Sequence, residues 1–166
     1  MPNWAEQVTA VATVVIAVGA VGAIGAAVVA GQQVREVRIG RQAEVASDFF
    51  TRWSDAPMVE TRRLVASYGS PEELRDALLR HVAANDTEAY VLFRELDYFE
   101  QLGALEEHGG IDFELVRALL GRRLVDRWQL WEPSVTALGG QNVYPLFARL
   151  ARKMEKATAA AATAAN

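Results

Sequence analysis

The sequence predicts an all-α protein in two parts: an apolar N-terminal helix of membrane-spanning length, and a small helical bundle reached through a linking helix. Three observations lead there. No charged residue occurs from Gln7 through Val34, whereas charges recur every few positions afterwards. Apolar residues beyond that point repeat at spacings of three and four, and no run of five or more alternates as a half-buried strand would. Helix boundaries are punctuated by "SDAP", "GSPEEL", "NDTE" and "HGGID". A chain of 166 residues holds one domain with an appendage. The polar part, roughly 130 residues, is long enough to bury its own core.

Residues 8–30 are Val, Ala, Ile, Gly and Thr. At about 1.5 Å per residue they make roughly 35 Å of helix, enough to cross a hydrocarbon layer about 30 Å thick. Trp4 precedes the run at interfacial depth. A signal peptide would have a basic start and a shorter apolar core. The start "MPNWAEQ" has no Lys or Arg, although a cut after Ala30 is conceivable. A buried soluble helix would be unusually long and apolar on every side. The expectation is therefore a transmembrane anchor with residues 1–7 outside.

The flanks set the orientation. Arg35, Arg38 and Arg41 follow the run and no basic side chain precedes it. The positive-inside rule places the C-terminal part in the cytoplasm, at a plasma membrane, with these arginines meeting anionic headgroups. Within the run, Gly19, Ala23, Ala27 and Gly31 are four apart, and Gly22, Ala26 and Ala30 form the adjacent row. Such small-residue rows let two helix backbones approach closely in lipid, so a homo-oligomer through the span is expected. Any Ala/Gly-rich span produces similar rows by composition alone.

The remaining elements follow in order. Residues 31–56 read as a linking helix with an aromatic end at Phe49, Phe50 and Trp53, broken at "SDAP" because Pro57 disfavours helix at Ala56. The bundle spans 57–156. Its first helix covers about 58–68, with Leu64, Val65 and Tyr68 inward. "GSPEEL" starts the next, with Ser70 as cap, Pro71 at the first helical position and Glu73 completing a capping box. Leu74, Leu78 and Val82 face in. Asn85 or Asp86 caps a helix over about 87–106 whose stripe is Leu92, Leu96, Phe99 and Leu102 or Gly103.

"HGGID" closes that helix, with Gly109 or Gly110 left-handed. Asp112 caps a single long helix in which Ile111 staples onto Val116. Its apolar set is Leu115, Val116, Leu119, Leu120, Val125, Trp128 and Trp131, and Pro133 lies near its end. A last helix covers about 143–156, presenting Leu146, Phe147, Leu150 and Met154. The Ala/Thr run 157–166 reads as a frayed tail.

"YFEQLGALEEHGGIDFELVRALLGRRLVDRWQLWEP" carries Phe99-Glu100, Leu102-Gly103, Gly110-Ile111-Asp112, Gly121 and Trp128. On these residues, and on the order span, linking helix, helical domain, the chain resembles a bacterial family of uncharacterised single-span membrane proteins with a cytosolic all-helical domain. The resemblance implies an architecture and no catalytic residues. The scarcity of lysine, found only at Lys153 and Lys156, fits the coding bias of a GC-rich bacterial genome.

Chemistry is sparse. A net charge of −4 argues against a general nucleic-acid binder. The lack of cysteine removes disulfides, thiol nucleophiles and cysteine-based zinc sites. His81 and His108 have no ligand at helical spacing, so no metal is expected. No phosphate loop, nucleophile elbow or zincin motif occurs, and no cofactor is implied. Glu100 stands out. A carboxylate entering an apolar layer is costly unless paired, and Arg117, Arg122, Arg123 or Arg127 across an antiparallel hairpin around "HGGID" are the expected partners. The functional expectation is a membrane-anchored, non-enzymatic module that recruits a protein partner at the inner membrane face. Two alternatives stand beside it: a membrane-perturbing effector of stress or phage defence, and an enzyme with a site around Glu100.

Overall fold

The structure, a computed structural model, describes residues 40–164. The chain divides into two units, Met1–Arg41 and Gln42–Asn166, and the fold described is that of the second. The expected span and its small-residue rows, Gly19, Gly22, Ala23, Ala26, Ala27 and Ala30, lie outside the described residues, as do Arg35 and Arg38. Arg41 is exposed on a helix. No helix among the described residues is long and apolar enough to cross a membrane.

The described residues are helical throughout, without strands. In chain order the helices are α1 (40–54), α2 (Ala56–Ser67), α3 (Pro71–Ala84), α4 (Thr87–Glu107), α5 (Phe113–Leu119), α6 (Gly121–Gly139) and α7 (Pro145–Ala164), with a 3-10 turn at Gly140–Asn142. The long α4 is central, against α2, α3 and α7, while α6 packs on α3 and α7. It therefore buries more than one stripe: Leu92, Leu96, Tyr98, Phe99 and Leu102 are all in the core.

Local chemistry accounts for the boundaries. Ser70 accepts from the Glu73 amide and Glu73 reaches back to the Gly69 amide at 2.7 Å, so the start of α3 is doubly satisfied. Asp86 accepts from the Glu88 and Ala89 amides and caps α4, while Asn85 takes the left-handed conformation that ends α3 (φ 51°). Asp112 does the same work for α5, and Ile111 and Val116 are both buried, as a staple requires.

Several expectations are corrected. The break at "SDAP" falls at Asp55, not Ala56. Ala56 and Pro57 are the first two residues of α2, where a missing N–H costs nothing. The boundary at 56–57 moves back to Arg41, because Ala46 and Phe49 of α1 belong to the core and Trp53 packs 4.9 Å from Tyr98. Val82 is exposed on the outer side of α3. The long helix after Asp112 is two helices. The backbone breaks at Leu120 and Gly121, the latter at φ +35°, which turns Leu119 out to solvent. Pro133 lies inside α6, which runs on to Gly139. Finally, α7 continues through the Ala/Thr run to Ala164, as alanine's helix propensity allows.

Candidate functional site

Two carboxylates on α4 organise the domain differently. Glu100 faces the start of α7. Its oxygens accept from the Leu146 amide (3.1 and 3.2 Å) and the Phe147 amide (2.9 Å). A carboxylate at a helix N-terminus satisfies orphan amides and meets the positive end of the dipole. The expected arginine pairing of Glu100 is thus replaced by backbone amides, because α4 pairs with α7 rather than forming a hairpin with the following helix. One turn on, Gly103 lets the backbones meet: a Cβ there would lie 2.6 Å from the Leu146 carbonyl oxygen. Phe99 stacks on Phe147 at 4.7 Å and 13°, and Tyr144 donates to Asp97 at 3.3 Å. With both oxygens engaged by amides, the Glu100 carboxylate caps the start of α7.

Glu95 is the carboxylate that meets arginine. It is fully buried, and Arg127 Nε lies 3.1 Å from its Oε1. The approach is too oblique for a hydrogen bond, and both oxygens lack a well-formed one, as do the buried Nε of Arg62, Nε1 of Trp131 and Oγ of Ser134. Burial pushes the Glu95 carboxyl above its ordinary range, with Arg127, the nearby Trp131 indole and Arg62 pulling it back. Arg62 is itself held over the Trp53 ring, 4.7 Å from its centroid.

These arginines border a cleft of 660 Å³. Trp53, Phe99, Leu120, Leu124 and Leu130 make its apolar lining. Arg62, Arg123 and Arg127 add three guanidinium groups and Asp126 one carboxylate. Asp126 also lies 3.7 Å from Arg122 on its own helix. Leu120 and Arg123 join the lining through the α5–α6 break, which starts a new helix there.

The other singled-out residues scatter. Arg117 pairs with Glu114 on α5. His81 is clasped by Asp86 (2.7 Å) and Glu88 (3.0 Å), partners five and seven residues on that helical spacing does not reveal. Among the described residues no group of three or more His, Asp or Glu is placed to hold a metal. Trp128 and Trp131 are buried in the core. The sequence did carry a signal for Glu95, a charged residue between Leu92 and Phe99 on the buried stripe. Arg62 carried none, since its role rests on Trp53 from another helix. Comparison of the chain with protein-family models, with curated proteins and with solved structures gives no match.

Proposed function

We propose that this protein is a membrane-anchored, non-enzymatic interaction module that recruits a partner at the inner face of a bacterial plasma membrane. The observation that carries the reading is the uncharged run from Gln7 through Val34, followed at once by Arg35, Arg38 and Arg41. The unit boundary after Arg41 supports it, because the helical domain then begins directly behind the basic cluster. The anchor's work is to raise the local concentration of that domain near a membrane target. The small-residue rows fit self-association of the span.

The test is the double substitution Gly19→Leu with Ala23→Leu in the full-length chain, read by in-membrane cross-linking and by growth on overexpression. The expected result is weaker self-association with unchanged growth and membrane retention. Growth arrest by the native chain that the double variant abolishes would favour a membrane-perturbing effector instead. Unchanged cross-linking would remove the self-association face.

A further inference from the structure

We propose that the cleft beside α6 binds a water-borne amphipathic oxyanion: a small molecule with a carboxylate or phosphate head and an aromatic or aliphatic body. This inference is independent of the membrane reading, since every residue it uses lies in the helical domain.

Size and lining come first. A volume of 660 Å³ lies in the range of small-molecule sites and is too small for a polymer to fill. Half-buried Trp53 and Leu130 offer a ring or an alkyl chain the apolar contact that such sites use, over a floor of the buried Phe99 and Leu124. Three guanidinium groups line the cleft with the carboxylate of Asp126, and Glu95 lies beneath Arg127, which still leaves an excess of positive charge there on a chain whose net charge is −4. That local excess attracts an anionic head, while the net charge disfavours a polyanion.

Preorganisation is the second argument. Arg127 is drawn by its Nε toward the buried Glu95 at 3.1 Å, which leaves the two terminal nitrogens of its planar fork for an oxyanion. Arg62 is fixed by stacking on Trp53. A fully buried carboxylate set between two arginines is a costly way to hold helices together. Holding an arginine ready for an anion accounts for it, with Glu95 as a positioning residue. Arg123 supplies the third group. It is exposed, and among the described residues it makes no ion pair or side-chain hydrogen bond.

The start of α6 adds to the cleft without carrying the argument. Leu120 provides no side-chain cap and the first turn holds no acidic residue, so the positive end of this 19-residue helix stays uncompensated beside Arg123.

The experiment uses the full-length chain, in phosphatidylcholine nanodiscs with empty discs as the blank, or in plain buffer should the chain stay in solution without lipid. The chain is titrated with 1-naphthyl phosphate by calorimetry while the Trp53 indole N–H resonance is followed. We expect one-to-one binding that shifts Trp53 and weakens with added salt. Arg123→Glu, an exposed change that leaves the core intact, lowers affinity at least about tenfold. Neutral 1-naphthylmethanol binds at least about tenfold more weakly, because it lacks the charge that the arginines meet. Glycerol 3-phosphate, a headgroup without an apolar body, is weaker by a similar factor. The proposal is overturned if 1-naphthyl phosphate does not bind, or if Arg123→Glu leaves its affinity unchanged. It is equally overturned if either control ligand matches it.

Discussion

Glu95 and Glu100 lie on one helix, little more than a turn apart, and meet different partners. Glu100 meets the amides of Leu146 and Phe147 at the start of α7. Glu95 is buried beside Arg127 and Arg62, where desolvation outweighs the attraction of the guanidinium groups. The consequence for stability has a definite sign. The folded-state pKa of Glu95 lies above its ordinary 4.5, so the folded chain holds this proton more tightly than the unfolded chain does. The resulting stabilisation is complete below about pH 4.5 and is lost as pH rises through the folded value. Denaturant unfolding across that window should show the native chain losing stability relative to Glu95→Gln as pH rises. A difference that moves the other way would mean that the Arg127 ion pair wins over burial. Only half of this was legible in the sequence. A glutamate on an apolar stripe announces a need for a partner, but whether the partner is an arginine or a helix end depends on which helix packs there.

At the scale of elements, capping residues were the readable part. Ser70 satisfies the amide three residues on, and Asp86 and Asp112 those two and three residues on, a local matter that sequence spacing encodes directly. Breaks and continuations were not readable. Apolar periodicity runs through Leu119 and Leu120 without interruption, so the glycine at 121 is the one local mark of the turn made at φ +35°, and an isolated glycine is also tolerated inside a helix. Pro133 would be expected to stop α6, yet the helix continues because surrounding packing outweighs a cost of about 3 kcal/mol. The crossing of α4 and α7 depends on Gly103. Alanine there gains about 1 kcal/mol in helix propensity. It also drives a methyl group to 2.6 Å from the Leu146 carbonyl, a backbone atom that cannot swing aside. Overpacking of this kind costs about 1–3 kcal/mol, so Gly103→Ala should lower the thermal midpoint of the domain and loosen the Glu100 cap. An unchanged or raised midpoint would show that α4 and α7 cross less closely than described.

For the whole molecule, the all-helical class was legible because three- and four-residue periodicity and capping signals agree along the chain. The domain boundary was misplaced for a physical reason. Phe49 and Trp53 look like the aromatic end of a linking helix, but they pack on Tyr98 and Phe99 and so belong to the bundle. The cleft was hidden because its lining comes from four helices and from the α5–α6 break. The central claim is that the run before Arg35 spans a lipid bilayer with the helical domain on the basic side. The chain has no cysteine, so single substitutions give clean labels. In intact spheroplasts, a membrane-impermeant maleimide should label Asn3→Cys at once, and should reach Thr163→Cys only after the membrane is opened. Equal labelling of both positions in intact cells, or recovery of the full-length chain in the detergent-free aqueous fraction, would contradict the account.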